Sequence, residues 1–209
     1  MIACPYLMRK GNELQTHVRA NLAAFPREIA RPHGKSRRAA VALVLTGIDV
    51  DPGVLLVKRA KGGHNPGQWA LPGGRSKVGE DAVATALRES REEIGLQMAS
   101  VAGLLDDFIA QSGYVITPVV VFAPAGATFV RQPREIHSVH PIRLARLLDA
   151  DLPRWGRTQA GGFVLQLPLR RNMVVHAPTG AILWQFREVA LLGRHTRVNG
   201  LTQPSFTRT

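Results

Sequence analysis

The sequence lacks the features that define several common protein classes. Cys4 is the only cysteine in 209 residues, which excludes a disulfide framework and a cysteine-based zinc site. No apolar run approaches the roughly 18 residues that a membrane-spanning helix needs. The first apolar stretch is also too short for a signal peptide. We therefore expect a protein of the reducing cytoplasm with no membrane partner.

Acidic and aromatic residues are scarce. The chain has 15 Asp and Glu against 27 Lys and Arg, a formal net charge of +12, which favours an anionic partner: nucleic acid, an acidic membrane or a phosphorylated small molecule. Only 6 % of residues are aromatic, and no basic run is interleaved with Tyr or Phe, as base-stacking surfaces require. A nucleic-acid-binding module is therefore the less favoured alternative.

The pattern of the chain divides it into three regions. Residues 1–38 form a basic arm with one amphipathic helix, in which apolar side chains recur every four positions. Residues 39–193 form a domain of strands with a central and a closing helix, which predicts an α/β/α sandwich on a mixed β-sheet. Residues 194–209 form a tail. A homodimer contact through the arm or the tail is an open alternative, because no motif decides it.

Within this domain, apolar β-branched runs between turn residues predict the strands. We expect strands at residues 39–47, 53–60, 69–72, 100–110, 113–123, 135–142, 163–169 and 173–177. Helices are expected at residues 80–94, 143–150 and 180–193, and Gly95 ends the first of them as its C-terminal cap. Gly73 and Gly74 are expected to form a tight turn before that helix.

The few acidic residues concentrate on the central helix. Glu89, Glu92 and Glu93 lie within five consecutive positions, and their spacing puts them in one sector of the helix. Like charges this close destabilise a helix and raise one another's pKa unless a cation joins them. Hard cations such as Mg²⁺ take oxygen ligands and share them with phosphates. The cluster therefore favours a metal platform for phosphoryl chemistry over a solvated acidic face.

The wider spacing around these glutamates matches a known signature. The pattern Gx5Ex7REUxEExGU is filled by Gly74, Glu80, Arg88, Glu89, Glu92, Glu93, Gly95 and Leu96. Over these 23 residues the sequence closely resembles the Nudix hydrolases. The preceding LPGG and the strand pattern agree with a Nudix-type fold.

One position departs from the signature. Ser90 occupies a slot that is normally aliphatic, on the helix face that carries Val83, Leu87 and Ile94. We expect this face to be buried. The hydroxyl group then needs a hydrogen-bond partner, such as a backbone carbonyl one turn back.

The resemblance implies an activity and a metal site. Nudix enzymes cleave a nucleoside diphosphate linked to another group, by attack of water on a phosphorus atom of the pyrophosphate. The resemblance implies that Glu89, Glu92 and Glu93 hold Mg²⁺ or Mn²⁺, with the Gly74 carbonyl as an extra ligand. The substrate implied is a small nucleotide.

The resemblance also assigns supporting roles. Arg88 and Glu80 are implied to pair and hold the loop and the helix in register. The general base varies across the family. Glu89 is one candidate, and Glu135 is another, in the loop before the strand at 135–142.

Segments outside the signature are similar to the coenzyme A pyrophosphatase branch. The most specific of them is SGYxxTP at residues 112–118, and LLVKRA at 55–60 and GAILWQF at 180–186 agree with it. The branch usually has LLTxRS and FPGG, which Val57, Ala60 and Leu71 alter here. We expect coenzyme A or a derivative as substrate. Because WALPGGR is equally typical of other branches, ADP-ribose, NADH or a nucleotide sugar is the alternative.

Four residues are candidates for binding the substrate. Lys58 and Arg59 end a strand that leads towards the active-site loop, where they could contact phosphates. Arg131 lies in a loop that could reach the same groups, although a solvated loop is an equal alternative. Trp69 could stack on an adenine ring, and core packing is the more typical role of such a residue.

Overall fold

The computed structural model describes residues 11–30, 37–62, 65–157 and 162–204. The elements are α1 (Gly11–Ala24), β1 (Arg37–Thr46), β2 (Gly53–Arg59), β3 (Trp69–Ala70), β4 (Gly73–Arg75), α2 (Ala82–Ile94), β5 (Ser100–Leu104), β6 (Phe108–Ile109), β7 (Tyr114–Phe122), β8 (Ile136–Arg143), α3 (Leu144–Leu147), β9 (Arg154–Arg157), β10 (Phe163–Arg170), β11 (Met173–His176), α4 (Thr179–Phe186) and a π-helical turn (Arg187–Leu191). Parts of the predicted arm and tail lie outside the described residues.

An eight-stranded mixed sheet forms the centre of the fold. Strand β1 runs parallel to β7 and antiparallel to β2 and β4, while β8 and β3 pair with β2, and β5 and β6 pair with β7. Strands β9, β10 and β11 form a second, smaller sheet. Since β1 and β7 are apolar on both faces, both faces are covered.

Helices cover the two faces of the large sheet. On one face Ala40, Ala42 and Val44 pack with Ala86 and Ile94 of α2. On the other face, the large core cluster joins side chains of β1 to those of α1, α4 and the segment after α4. The predicted α/β/α sandwich on a mixed sheet is confirmed. Among the described residues, no helix has the length and apolar character that crossing a bilayer would take.

Capping residues define helix α2. The Asp81 carboxylate accepts a hydrogen bond from the Ala84 N–H at 2.7 Å, so the helix begins at Ala82. Gly95 takes the left-handed conformation with φ 69° and ends the helix, as predicted. Ser90 is fully buried, and its hydroxyl donates to the Ala86 carbonyl at 2.7 Å. The departure from the signature is thus accommodated by the backbone one turn back.

The double glycine at 73 and 74 adopts a different structure from the one predicted. Gly73 and Gly74 do not form a tight turn, because they begin strand β4 and pair with Val41 and Ala40 of β1. A Cβ atom on Gly73, which has φ +156°, would lie 2.3 Å from the Ala40 carbonyl oxygen. The close approach of β4 to β1, rather than a turn, requires glycine there.

Other predictions differ in their bounds. The strand expected at residues 100–110 is two short strands, β5 and β6, and the closing helix expected at 180–193 changes to a π-helical turn at Arg187. Strand β9 was not predicted. Its sequence, RWGR, has no apolar alternation, and it forms by pairing with β10.

The break between β5 and β6 holds a buried acidic pair. Asp106 is 1 % exposed and accepts hydrogen bonds from Arg197 at 2.7 Å, from the Gln185 amide at 2.6 Å and from the Glu28 N–H at 2.6 Å. Glu28 precedes the large sheet in the sequence, Gln185 lies in α4 and Arg197 follows it. The carboxylate therefore joins three segments that are distant along the chain.

Asp107 extends the same network. Its side chain is fully buried and accepts from Arg27 at 2.5 Å, from the Thr117 hydroxyl at 2.7 Å and from the Ala30 N–H at 3.1 Å. Residues 27–30, which follow α1, are thereby held against β7. Helix α1 itself is docked by its apolar stripe, because Leu14 is buried in the large core cluster.

Candidate active site on helix α2

The three glutamates of α2 lie in different surroundings. Glu93 is buried, with 1 % of its surface exposed, and its carboxylate accepts a hydrogen bond from the Gly73 N–H at 2.9 Å. The Glu89 side chain is 14 % exposed, and the Glu92 side chain is 52 % exposed. The three carboxylates that spacing places in one sector of the helix therefore differ in exposure, from the buried Glu93 to the half-exposed Glu92.

Burial dominates the electrostatics of Glu93. Removal of the carboxylate from water raises the pKa of Glu93 to about 7, against the Gly73 hydrogen bond and the Arg59 charge, which lower it. The charges of Glu89 and Glu135 raise it further. The two predicted general-base candidates thus both act on the pKa of the same buried carboxyl group.

Gly74 makes room for the Glu89 carboxylate. A Cβ atom at position 74 would lie 2.5 Å from the carboxyl carbon of Glu89. Any larger residue would therefore fill the space beside this carboxylate. The glycine of the signature is explained by this close approach of β4 to α2.

Arg88 binds most of the acidic cluster. Its guanidinium donates to both oxygens of Glu80, at 2.7 and 3.0 Å, which is the pair that the resemblance implied. It also donates to Glu89 at 2.7 Å, to Glu92 at 3.0 Å and to the Arg75 carbonyl at 3.0 Å. One arginine therefore fixes the helix, its carboxylates and the end of β4 relative to one another.

The donor set fits a hard divalent cation. Within the part of the chain that the structure describes, no three His, Cys, Asp or Glu side chains converge into a complete metal site. Arg88 is ion-paired with Glu89 and Glu92 in this arrangement. Carboxylate oxygens are nevertheless the ligands that Mg²⁺ prefers, and the buried Glu93 beside Glu89 would gain from a neighbouring positive charge.

The Glu80–Arg88 pair predicts a pH dependence. Hydrogen bonding to Arg88 lowers the pKa of Glu80 from 4.5 to about 2. A carboxyl group with a lowered pKa stabilises the fold above its unfolded pKa and loses this effect as the pH falls through its folded pKa. In thermal melts we expect Glu80→Gln to unfold below wild type at pH 7, and the gap to close between pH 4.5 and 2. A gap that is independent of pH would contradict this assignment.

A cavity of 420 Å³ adjoins β4 on the face of the sheet opposite α2. Arg59 and Trp69, both predicted to bind substrate, line it. The Lys58 amino group lies 5.4 Å from the Trp69 ring centroid. Arg131 is not among the lining residues, and donates instead to the Ile136 carbonyl at 3.1 Å.

Sequence reasoning missed three cavity residues. Arg37, Arg75 and Tyr114 line the cavity beside β4. They lie on three different strands, and only the register of those strands brings them together. The signal available in the sequence was weak: Arg75 directly follows the double glycine, and Tyr114 stands in the SGYxxTP segment.

The comparison with protein families decides the assignment. The model of the NUDIX domain matches residues 36–161, which include β4, α2 and Glu135 and make up more than half of the chain. The chain belongs to the Nudix family. The expectation from the signature is therefore confirmed at the level of the family.

Curated relatives of this Nudix chain carry the same family name. "Uncharacterized Nudix hydrolase NudL" of Enterobacter sp. (strain 638) is 31 % identical over 131 residues, which are 58 % of this chain and 68 % of that protein. The protein of the same name from Yersinia pestis (strain Pestoides F) is 33 % identical over 120 residues, 54 % of this chain and 59 % of its own length. The Nudix chain thus spans well under the whole length of these relatives.

Solved structures of other Nudix proteins are also similar. The MutT protein from Methanosarcina mazei Go1 has a TM-score of 0.43 and 20 % identity, covering 60 % of this chain and 84 % of its own. The NUDIX domain of Shewanella oneidensis NrtR complexed with ADP ribose has a TM-score of 0.43 and 22 % identity, covering 56 % and 78 %. TM-scores this low carry no argument by themselves, so the assignment rests on the family match.

Proposed function

We propose that this Nudix protein is a divalent-cation-dependent pyrophosphohydrolase acting on a nucleoside diphosphate linked to another group. The observation that carries the proposal is the position of Glu93. This buried carboxylate shares its surroundings with Glu89, Glu135 and Arg59, and is bonded to Gly73 in the cavity wall. Acidic groups for a cation and basic groups for a polyanion thus meet at one strand.

The acidic residues have distinct roles in this proposal. Glu89, Glu92 and Glu93 would hold Mg²⁺ or Mn²⁺, with the Gly74 carbonyl as an extra ligand. A cation bound there would neutralise the pyrophosphate and acidify the attacking water. Glu89 or Glu135 would accept the proton of that water.

Other residues position the site or bind the substrate. Arg88, bonded to Glu80 and to the end of β4, keeps the carboxylates in place. Arg59 would contact phosphates from the cavity wall, and Lys58 would do so from its position against the Trp69 ring. Arg131 stays a weaker candidate, because its guanidinium already bonds to the backbone of β8.

Coenzyme A or a derivative is the substrate that we propose, giving 3′,5′-ADP and (acyl)phosphopantetheine. Support comes from the SGYxxTP segment, since its Tyr114 forms part of the cavity wall. ADP-ribose, NADH or a nucleotide sugar is the alternative, and a nucleic-acid-binding module on this fold is less favoured. We further propose that the protein acts in the cytoplasm.

A hydrolysis panel tests the proposal. Coenzyme A, acyl-coenzyme A, ADP-ribose, NADH and 8-oxo-dGTP are each incubated with Mg²⁺ or Mn²⁺, and the products are separated by chromatography. We expect 3′,5′-ADP and phosphopantetheine from coenzyme A. The activity should be absent in Glu92→Gln and retained in Glu13→Gln, the same change at an exposed position of α1.

The outcomes of the panel are distinct. Turnover of ADP-ribose or NADH in place of coenzyme A would show that the alternative substrate is the correct one, and the pyrophosphohydrolase reaction would still stand. If no compound is hydrolysed in the presence of metal and the protein binds random RNA in a salt-sensitive way, the proposed enzymatic activity is overturned in favour of a nucleic-acid-binding module.

A further inference from the structure

Two arginines share one aromatic ring in the wall of the cavity. Arg37 is paired with Tyr114 across β1 and β7, and Arg75 is paired with Ala39 across β4 and β1. The guanidinium carbons of Arg37 and Arg75 lie 4.6 and 5.4 Å from the Tyr114 ring centroid. These distances are those of cation–π contacts, so the ring fixes both cations beside the cavity.

The two arginines differ from other arginines of the fold in their ion pairing. Among the described residues, no carboxylate lies within ion-pair distance of Arg37 or Arg75, whereas Arg27, Arg88 and Arg197 all have one. Two adjacent cations without a counter-ion attract an anion to the cavity. Guanidinium groups bind phosphate oxygens in paired hydrogen bonds, which makes a phosphate the best-matched anion.

The third group of this cluster is the hydroxyl of Tyr114. The Tyr114 hydroxyl is buried and has no hydrogen-bond partner within the described part of the chain. A buried hydroxyl without a partner is unfavourable and is rarely left so. A phosphate oxygen entering between the two arginines would supply an acceptor.

The cluster adjoins the cation platform but consists of different residues. Gly73, Gly74 and Arg75 of β4 all line the cavity, and a Cβ atom at Gly74 would lie 2.5 Å from the Glu89 carboxyl carbon. The position of Arg75 is fixed, because its carbonyl accepts from Arg88 and its backbone pairs with β1. A substrate whose pyrophosphate lies at Gly74 could therefore extend into the cavity and meet the arginines with a different group.

We propose that Arg37 and Arg75, held by Tyr114, bind a phosphate monoester of the substrate, separate from the pyrophosphate that is cleaved. A phosphorylated ribose hydroxyl is the chemical group that fits. This inference rests on the proposed function, because it assumes that a nucleotide occupies the cavity. It makes the arginine pair the determinant by which the protein distinguishes nucleotides with a ribose phosphate from those without one.

Binding of two products tests this inference without hydrolysis. Adenosine 3′,5′-bisphosphate and AMP differ by one phosphate monoester, so the contributions of the base, the ribose and the 5′-phosphate cancel in their ratio. Isothermal titration in metal-free buffer at 150 mM salt should show wild type binding the bisphosphate about 10- to 100-fold more tightly than AMP. Titration of adenosine 2′,5′-bisphosphate alongside reports which hydroxyl carries the phosphate.

Variants test whether the two arginines cause the preference for the bisphosphate over AMP. Arg37→Gln and Arg75→Gln should each lower the bisphosphate-to-AMP affinity ratio about tenfold or more, while Arg171→Gln, an exposed change in the turn after β10, should keep it. Equal affinity of wild type for AMP and both bisphosphates would overturn the inference. So would a preference that survives both cavity variants. Since binding is measured and not turnover, failure of the hydrolysis panel is distinguishable from failure here.

Discussion

Replacement of Glu93 by glutamine is expected to remove hydrolysis while leaving the metal-free protein at least as stable as wild type. The loss of a carboxylate at the cation platform removes several kcal/mol of transition-state stabilisation, ~10³-fold in rate. Glutamine keeps the size of the side chain and an oxygen that can accept from the Gly73 N–H. A variant with full activity would exclude Glu93 from the site.

The stability of this variant follows from the raised pKa of Glu93, about 7 against 4.5 in the unfolded chain. Between these pH values the folded state binds more protons than the unfolded state, so the stability of wild type falls as the pH rises. Glutamine does not titrate. In metal-free buffer, the melting temperature of Glu93→Gln minus that of wild type should therefore grow from pH 4.5 to 7 and level off above it.

Addition of Mg²⁺ separates catalysis from structure. A ligand that binds only the folded state raises the melting temperature, so wild type should gain and Glu93→Gln should gain less or nothing. A variant that is inactive and also markedly less stable without metal would assign Glu93 a structural role instead. Glu13→Gln serves again as the exposed control.

The second large effect is expected at Asp106. Asp106→Ala removes an acceptor shared by the Gln185 amide and the Arg197 guanidinium. Among the described residues, these two groups keep only the Thr196 and Pro26 carbonyls and the Glu28 carboxylate. Loss of one partner from a buried ion pair costs about 3–5 kcal/mol, and the lower end applies because the Arg197 side chain is 34 % exposed. At 2–4 °C per kcal/mol for a chain of this size, the melting temperature should fall by ~10 °C. Urea denaturation at pH 7 measures the change in the free energy of unfolding directly.

Asp51→Ala is the matched control. The carboxylate of Asp51 is paired with Arg143 at 2.7 Å, and both side chains are more than half exposed. Exposed pairs contribute under about 1 kcal/mol, so this variant should melt close to wild type. Equal losses from the two alanine variants would show that burial of the Asp106 network does not set its contribution.

The parts of the fold that depend on local pattern could be predicted. The β-branched runs of β1 and β7 and the Gly95 cap of α2 are local signals, and all three elements form where the sequence places them. The break between β5 and β6 could not be predicted in this way. It exists because Asp106 and Asp107 bind partners up to 91 positions away, which no window of neighbouring residues contains.

In the candidate site, too, the features set by local spacing could be predicted and those set by tertiary contacts could not. Spacing predicts that Glu89, Glu92 and Glu93 share a sector of α2, since helix geometry is fixed. Their graded burial depends on how β4 packs against the helix, and that follows from tertiary structure. The contact of Arg37 and Arg75 with Tyr114 depends on the register of three strands, which apolar alternation alone leaves undetermined.

The Asp106 and Asp107 network also bears on where a folded fragment of this chain can begin and end. The family match begins at residue 36 and ends at 161, yet Arg27, Gln185 and Arg197 outside it neutralise or bond the two buried carboxylates. A fragment trimmed to the match would carry both acids without these partners and would expose the apolar face that α1 and α4 cover. We therefore expect the smallest piece that folds on its own to be longer than the matched region, and its flanks to melt with it in one cooperative transition.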